Sequence, residues 1–251
     1  MTFTKTSFEE QLTLYIKYTQ GLRLVDTFWE DYIVNATIYT ISFDHKVIGC
    51  FSIYEEEHRL TFLEQSFTKQ AQSIFADIIN QYHVICALVV TNDELFLSLC
   101  LESQVKIELQ AYFFDYIKKP QKPATYPSTQ LKRATEADLE ELRETNFFDD
   151  LSLENDADVK YVLRDENGGF LGAGHIHTMQ LSPQWGACGM VVAEKHRQKG
   201  VGRSIILHLT KIVKENGLTP IAGCWYYNFN SKHTLESCGY ASKTRLLSIH
   251  F

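Results

Sequence analysis

The chain has 251 residues, of which 45% are hydrophobic and 22% are charged, as in an ordinary soluble globular protein with a sizeable core. Its formal net charge of −7 argues against a role in coating nucleic acid, because that role needs a broad basic surface. No run approaches about 18 apolar residues, and residues 1–5 lack the apolar core of a signal peptide, so we expect neither a membrane span nor export.

The cysteines are isolated from one another in the sequence. They form no C-x-x-C pair and have no ligand-like spacing to histidines. We therefore expect free, buried thiols in a reducing cytoplasm, and neither a disulfide framework nor a metal site. The six cysteines are Cys50, Cys86, Cys100, Cys188, Cys224 and Cys238.

The first half of the chain predicts alternating helices and strands. Residues 7–10, Ser-Phe-Glu-Glu, form a capping-box pattern that opens a helix with Leu12, Tyr15 and Ile16 on its apolar face and an end near Gly21. The other predicted elements are strands at 36–43, 47–54 and 59–67, a helix at 70–82, a strand at 84–91, a helix capped at 92–94 and running to about 102, and a strand at 105–116.

A proline-rich segment separates the two halves. Residues 118–128 contain Pro120, Pro123 and Pro127, three of the five prolines in the chain, among lysines, serine and threonine. Such a segment is stiff, extended and poor in core-forming residues, which predicts an interdomain linker. The predicted domains are accordingly 1–117 and 129–251, with a linker at 118–128.

The second half has a similar succession of elements. Asn167-Gly168 predicts a tight hairpin, and an apolar helical face that ends near Gly217 predicts an amphipathic helix after residue 200. The predicted elements are strands at 131–135, 160–164, 170–179, 185–192, 220–227 and 240–251, and helices capped by Thr135 and running to about 143, from about 200 to 216, and at 228–238.

Residues 191–204 join a strand to a helix through a basic turn with two glycines. Gly200 and Gly202 let the backbone approach a ligand closely, and the first helical turn offers free N–H groups. Positive side chains surround the turn, so it is predicted to hold a phosphate or pyrophosphate; the alternative is a plain strand–turn–helix connection with a basic surface. The positive residues are Lys195, Arg197, Lys199 and Arg203.

Arg197-x-x-Gly200-x-Gly202 resembles the R/Q-x-x-G-x-G/A motif that binds coenzyme A in the GCN5-related N-acetyltransferases, the GNAT superfamily. Residues 228–240, with Asn228, Ser231 and the closing Gly-Tyr pair, resemble a second segment of that family. Together with the capped helix opening at Thr135, these features occur in the family's order across residues 130–251.

The first half follows nearly the same order, which indicates an internal duplication with a period of about 125–130 residues. The alternative is a single large mixed α/β domain. Residues 66–73 stand where the second half has its glycine turn, and they contain no glycine. We therefore predict that the first copy is degenerate and does not bind coenzyme A.

The resemblance implies an α/β (α+β) fold class: tandem acyl-CoA N-acyltransferase folds, each a mixed, mostly antiparallel sheet flanked by helices, with the fourth and fifth strands splayed at the site. It implies acetyl-CoA as co-substrate and no metal. Asn228 would contact the coenzyme near the thioester, and Ser231 would lie by the pantetheine; the alternative for Asn228 is a helix cap. The remaining contacts implied are backbone bonds to the pantetheine at Met190, Val191 and Val192, for which sheet pairing is the alternative, and a pyrophosphate grip formed by Arg197, Gln198, Lys199, Gly200, Val201, Gly202 and Arg203.

Direct acyl transfer to an amine needs a base and often an acid. The family's usual acid, a tyrosine, is replaced by Leu235, so the thiolate leaves unprotonated, or Tyr226, Tyr227, Ser231 or His233 replaces the tyrosine. The tyrosines are alternatively core or rim aromatics.

No carboxylate lies on the strand at 185–192, where the family often has its base. His175 and His177 on the preceding strand point the same way and are candidate bases, or else a solvent-facing polar pair. Cys188 and Cys224 have no paired base and are interpreted as buried thiols.

Three functions compete. The first is N-acetyltransfer from acetyl-CoA to a primary amine of a small molecule or peptide through the C-terminal domain, and the acidic balance favours a cationic amine. The second is a catalytically weak acyl-CoA-binding sensor or scaffold. The third, peptidoglycan-type aminoacyl transfer from tRNA, ranks last because the sequence lacks an extended basic surface. Besides the amine acceptor, we expect neither nucleic acid nor a membrane as a partner. We expect the chain to be a monomer or a homodimer.

Overall fold

The computed structural model describes the whole chain except Arg23, Ser66, Phe67 and Lys118. The chain divides into two compact units: unit one contains residues 1–113 and 243–251, and unit two contains residues 114–242. In each unit the strands form a mixed, mostly antiparallel sheet flanked by helices, so the predicted fold class is confirmed. The predicted boundaries at 117 and 129 stay predictions of where the duplicated segments begin and end.

Unit one carries its strands in the order β1-β2-β3-β4-β5, followed by the last strand of the chain, β12 (Tyr240–His250), and then β6. Its core includes Phe51, Ile74, Val89 and Phe96. The elements in chain order are β1 (Thr2–Thr6), α1 (Phe8–Gly21), α2 (Thr27–Val34), β2 (Thr37–Phe43), β3 (Lys46–Tyr54), β4 (Arg59–Gln65), α3 (Ala71–Tyr82), β5 (Cys86–Val90), α4 (Glu94–Ser103) and β6 (Lys106–Tyr116).

Two elements of unit one were not predicted from the sequence. β1 is an edge strand with a mostly polar sequence, and Phe3 anchors it by packing edge-on against Phe51 at 5.2 Å. α2 is only 8 residues long and rich in residues that favour strands, but Asp26 caps it by accepting a hydrogen bond from Phe28 N at 3.1 Å. The capping box predicted at α1 is present.

Unit two carries its strands in the order β11-β10-β9-β8-β7. The helix cap predicted at Thr135 is present as a capping box with Asp138, over a short 3-10 turn ahead of α5. The elements in chain order are β7 (Leu131–Arg133), α5 (Leu139–Glu144), β8 (Asp158–Arg164), β9 (Phe170–Thr178), β10 (Trp185–Val192), α6 (Val201–Glu215), β11 (Thr219–Trp225) and α7 (Phe229–Ser237).

The two faces of this sheet carry different helices. Gly174 and Gly186 lie under α6, because a Cβ at either position would contact its apolar side chains. Ala173 and Val191 face the other side, where they pack with Leu142 of α5. Since side chains alternate along a strand, residues 175 and 177 of β9 share the α5 face.

β10 and β11 separate partway along their length. Their parallel register runs from Trp185 with Thr219 to Ala187 with Ile221, and within the described chain it goes no further. β10 nevertheless continues to Val192, paired on its other edge with β9. The separation leaves the last residues of β10 with one open backbone edge, as the family resemblance implies. Among the described residues, no helix combines the length and the apolar character that crossing a bilayer requires.

Candidate functional site

The turn between β10 and α6 presents a row of backbone N–H groups. From Gln198 to Arg203, no backbone N–H has an acceptor among the described residues, and the first helical bond runs from Ser204 N to Gly200 O at 3.0 Å. The row also lies at the positive end of a helix of 15 residues. The turn therefore has the chemistry of a phosphate or pyrophosphate site.

The two glycines of the turn fit it for different reasons. Gly200 is the N-cap of α6 and has a φ of 80°, in the left-handed region that favours glycine. Gly202 lies in the first helical turn, where an added Cβ would come within 3.2 Å of Met190 Sδ and 3.3 Å of Val192 Cγ2. This close packing places the N–H row directly beside the open end of β10.

Two positive side chains of the turn remain at its surface. The Arg197 guanidinium is 63% exposed, and a Glu194 carboxylate oxygen lies 3.9 Å from it. Lys199 Nζ donates a hydrogen bond to Lys195 O at 3.0 Å, which holds the lysine over its own turn. Both cations are positioned to attract an anion to the N–H row.

Residues 123–126, called here the strap, pack against the first turn of α6. Ser204 Oγ accepts hydrogen bonds from the N–H groups of Thr125 and Tyr126 at 2.9 and 3.1 Å, and it donates to Gly200 O at 2.9 Å. Ser204 is fully buried, so these three bonds satisfy a hydroxyl that water does not reach.

Two longer side chains of α6 also hold the strap. Arg203 Nε donates to Pro123 O at 3.1 Å, and its Nη2 donates to Thr125 Oγ1 at 3.0 Å. His208 Nε2 lies 2.8 Å from Tyr126 O, to which it donates. The Arg203 side chain is thus used within the protein, and only its backbone N–H belongs to the anion site. The second half of the predicted linker is a docked part of unit two.

Asn228 and Ser231 lie together at the start of α7. Asn228 Oδ1 accepts a hydrogen bond from Ser231 N at 3.1 Å, which is the helix-cap role weighed from the sequence. Asn228 Nδ2 and the Ser231 hydroxyl have no partner among the described residues, so a ligand contact is compatible with the cap.

His175 and His177 face one aspartate. His175 Nδ1 lies 2.7 Å from Asp158 Oδ1, and His177 Nδ1 lies 4.0 Å from the same oxygen. The two histidines therefore point the same way, as predicted. Only the first distance is that of a hydrogen bond. Burial lowers the pKa of His177, and neighbouring positive groups lower it further against the opposite effect of Asp158.

Lys160 holds the other oxygen of the same aspartate. Its side chain is 0% exposed, and Nζ donates to Asp158 Oδ2 at 2.9 Å, to Ser152 O at 3.1 Å and to Asp158 O at 3.3 Å. Burial by itself would raise the pKa of Asp158, but the hydrogen bonds and charges of His175 and Lys160 outweigh it and lower that pKa to about 2. Asp158 is therefore a carboxylate at neutral pH.

The far side of the His175 ring faces β10. His175 pairs across the strands with Gly189, and a Cβ on Gly189 would come within 2.2 Å of His175 Nε2. Phe147 and Phe148 pack edge-on against the imidazole, with ring centroids 5.5 and 5.7 Å away. The ring thus lies beside β10 just past the point where β10 and β11 separate.

Other candidates from the sequence are less favourably placed for proton transfer. Tyr226 and Tyr227 follow β11 and pack edge-on against each other at 5.0 Å, and Tyr227 is 76% exposed. Leu235 is buried, at 2% exposure. Burial raises the pKa of the Cys188 thiol to about 12, so it stays protonated. The prediction that Cys224 is also buried is wrong: it is half-buried, because it lies near the end of β11, past the last pairing with β10.

Two family models match the chain. One described as "Acetyltransferase (GNAT) domain" matches residues 7–117, and one described as "Acetyltransferase (GNAT) family" matches residues 123–240. The chain is a tandem GNAT protein. No protein of curated function matches it in sequence.

Solved GNAT structures share this fold at low sequence identity. An acetyltransferase of the GNAT family from Colwellia psychrerythraea has a TM-score of 0.86 at 17% identity, with 100% of both chains covered. A tandem GNAT protein from the clavulanic acid biosynthesis pathway has a TM-score of 0.65 at 12% identity, over 99% of this chain and 97% of the other. A GCN5-related N-acetyltransferase from Kribbella flavida has a TM-score of 0.58 at 13% identity, over 95% and 94%. At these identities the likeness shows the fold alone.

The first GNAT unit repeats the separation of parallel strands, and aromatic rings pack on the separated strand. β4 and β5 run parallel only as far as Leu60 and Ala87. Phe62, farther along β4, is fully buried, and the rings of Tyr15 and Tyr18 from α1 pack against it at 4.3 and 4.4 Å. Aromatic side chains thus pack on β4 beyond its last pairing with β5, the part of unit one that corresponds to the open edge of β10.

The counterpart of the glycine turn in the first GNAT unit was assigned to residues 66–73. Ser66 and Phe67 of that segment lie outside the described residues. The interpretation that the first copy does not bind coenzyme A stays a prediction, which the packing around Phe62 supports.

Sequence reasoning missed Asp158 and Lys160. It began the strand at residue 160, whereas β8 begins at Asp158, so the aspartate was left out of the hairpin. In the hairpin register, Asp158 pairs with His177 and Lys160 with His175. The available signal was two polar pairs, Asp-x-Lys and His-x-His, that alternate on two strands joined by a tight turn.

Proposed function

We propose that this tandem GNAT protein transfers an acetyl group from acetyl-CoA to a primary amine, and that unit two holds the site. The observation that carries the proposal is the row of N–H groups from Gln198 to Arg203, which have no acceptor in the described part of the chain and pack beside the open edge of β10. An anion site next to an unpaired strand edge suits a ligand with a pyrophosphate and an amide-containing arm.

Three groups of residues bind different parts of acetyl-CoA. The N–H groups from Gln198 to Arg203 hold the pyrophosphate, and the open edge of Met190, Val191 and Val192 bonds the pantetheine amides. Asn228 Nδ2 and the Ser231 hydroxyl contact the arm near the thioester. The bound co-substrate supplies an activated acetyl group.

The reaction needs a neutral amine, and an imidazole beside β10 is suited to removing its proton. His175 and His177 are the candidate bases on this face of the sheet. Leu235 cannot protonate the leaving thiolate, but no acid is required at that position. A thiol with a pKa of about 8.5 leaves as a thiolate close to neutral pH. Tyr226, Tyr227, Ser231 and His233 remain candidates for protonating that thiolate.

The proposal also covers the class of acceptor and the cellular compartment of the protein. The net charge of −7 favours a cationic small-molecule or peptide amine over a nucleic acid or a membrane surface. The six free cysteines favour a reducing cytoplasm.

The experiment is a thermal-shift titration with acetyl-CoA, followed by a thiol-release assay across amines, amino acids and peptides. We expect stabilisation by acetyl-CoA, and thiol release with at least one amine. Gly202→Glu should abolish both, because a carboxylate would crowd Met190 and repel the pyrophosphate. Gly21→Glu is the matched control, since no atom lies within 4 Å of a Cβ at that exposed position. The proposal is contradicted if the wild type does not bind acetyl-CoA, or if binding and thiol release persist in Gly202→Glu.

A second candidate function is an acyl-CoA-binding sensor or scaffold without turnover. The buried Leu235 in place of the family's tyrosine favours it. Binding of acetyl-CoA without thiol release from any amine in the panel would support this candidate, and release with any of them excludes it.

A further inference from the structure

We infer that Asp158 and Lys160 form a buried pair that positions His175, and that His175 acts through Nε2 as the general base of unit two. The inference rests on the proposed function, and it selects one of the two candidate histidines. Asp158 and Lys160 do not touch the reacting atoms in this proposal; they are positioning residues.

The hydrogen bond to Asp158 fixes which ring nitrogen of His175 carries a proton. Asp158 is ionised, so its Oδ1 only accepts, and His175 Nδ1 at 2.7 Å must donate. In the neutral ring, Nε2 is then the nitrogen with the free lone pair. It has no hydrogen-bond partner among the described residues, so it is available to accept a proton.

The position of Nε2 matches the place where the acetyl group would lie. Gly189, which faces Nε2, lies two residues past Ala187, where the pairing of β10 with β11 ends, and directly precedes Met190. Any side chain at position 189 would occupy the space of the imidazole. The lone pair is therefore held beside the strand edge that binds the arm carrying the thioester.

Lys160 keeps Asp158 in place. Its ammonium donates three hydrogen bonds, to Asp158 Oδ2, Asp158 O and Ser152 O, and no part of the side chain is exposed to water. A buried lysine with this geometry restricts the carboxylate to one orientation, which in turn restricts the imidazole. Phe147 and Phe148 limit ring rotation from the outer side.

His177 is the weaker candidate on the same face. Its Nδ1 is 4.0 Å from Asp158 Oδ1, beyond hydrogen-bond distance, so that contact does not set its tautomer. The charged and titratable groups that face His175 are Asp158 and Lys160 on β8 and His177 on its own strand. From the loop before β8, the rings of Phe147 and Phe148 pack against His175, and from β10 Gly189 lies against it.

The step assigned to His175 is a proton transfer coupled to acyl transfer. The amine nitrogen forms the new N–C bond and gives up one proton to His175 Nε2, and the C–S bond of the thioester breaks. The thiolate sulfur takes the electron pair of the broken bond. The proton on His175 Nε2 then passes to the thiolate, directly or through water and a neighbouring side chain, and the imidazole is neutral again. Each turnover thus yields one amide and one thiol.

The first test needs no turnover. In protein with 15N-labelled histidine, we expect the neutral His175 ring to show a protonated Nδ1 and a bare Nε2. We also expect the Nε2 resonance of His175 to shift when acetyl-CoA is added, and to shift more than that of His177. A neutral ring protonated on Nε2, or a His175 resonance indifferent to bound acetyl-CoA, overturns the inference.

The second test compares rates of thiol release. His175→Gln should lower kcat by about 100- to 10,000-fold, the range for removal of a general base, with little change in KM for acetyl-CoA. Asp158→Asn should lower kcat at least about tenfold and convert His175 to a mixture of tautomers. Asp156→Asn is the matched control: it removes an aspartate two positions away whose side chain is 93% exposed.

Asp158→Asn leaves Lys160 buried without its partner, so the variant can fail to fold. The double variant Asp158→Asn/Lys160→Met removes both charges together and should show the same loss of kcat with a folded spectrum. A wild type that releases no thiol overturns the proposed function and this inference with it. An active wild type whose His175→Gln variant keeps its rate overturns the inference alone.

Discussion

The Thr125 hydroxyl fills the space that a side chain at position 200 would need. A Cβ built on Gly200 would come within 2.3 Å of Thr125 Oγ1 and 3.1 Å of Thr125 Cβ. Glycine is therefore required at position 200 by the strap as well as by its left-handed backbone. The strap thus packs against the first turn of α6 at Gly200.

Ser204→Ala tests the strap. The change leaves the N–H groups of Thr125 and Tyr126 without their acceptor, which should cost about 1–3 kcal/mol in the free energy of unfolding and weaken coenzyme A binding. Thermal unfolding and calorimetric titration with coenzyme A measure the two effects. Ser98→Ala is the control, because Ser98 Oγ makes the same kind of helical bond, to Glu94 O at 2.7 Å, but holds no strap. Equal losses in the two variants contradict this prediction.

The pKa of Asp158 predicts a loss of stability in acid. Because that pKa falls from 3.8 to about 2 on folding, the unfolded chain takes up the proton first as the pH falls. The stabilisation is present above about pH 4 and is lost as the pH falls toward 2, and it amounts to about 2 kcal/mol. Urea unfolding at pH 5 and at low pH should show the gap between wild type and Asp158→Asn/Lys160→Met narrowing by about this amount. A gap that does not change with pH rules out the prediction.

His177 predicts a second pH effect with the same direction. Burial lowers its pKa in the folded protein, so the unfolded chain binds the proton more readily. As the pH falls below about 6.5, the wild type should lose stability relative to His177→Gln. Thermal unfolding at pH 7.5 and 5.5 measures the difference. His45→Asn, at an exposed turn with a φ of 60°, is the control for replacing a histidine elsewhere on the chain.

Coenzyme A should bind with a stoichiometry of one per chain. The rings of Tyr15 and Tyr18 pack on Phe62 where β4 no longer pairs with β5, whereas the corresponding edge of β10 in unit two is open. Isothermal titration of the wild type with coenzyme A gives the number directly. Two equivalent sites, or one site that survives Gly202→Glu, would place binding in unit one and contradict this assignment.

Local signals in the sequence predicted the fold well where the physics is local. The capping boxes at Ser7 and Thr135 and the amphipathic face of α6 depend on residues a few positions apart, and all three are present. The turn with Gly200 and Gly202 was predicted for the same reason.

The remaining parts of the site depend on contacts between distant residues. Ser204 reads in the sequence as one more helical residue, and its role appears only when the strap, 78 and 79 positions away, packs on it. Asp158 lies 17 positions before His175, and their pairing depends on the register of the hairpin. Because the strand was predicted to begin at residue 160 instead of 158, the pairing of Asp158 with His175 was missed.

β12 begins in unit two and ends in unit one, where residues 243–250 lie between β5 and β6. During translation, the first unit has emerged from the ribosome long before these residues are made. Until they arrive, the buried strand β5 has an unpaired edge with Leu88, Val89 and Val90. While the second unit is being synthesised, the nascent chain therefore has an incomplete sheet whose unpaired edge can associate with other chains. The yield of folded protein in cells should depend on chaperones that shield this edge.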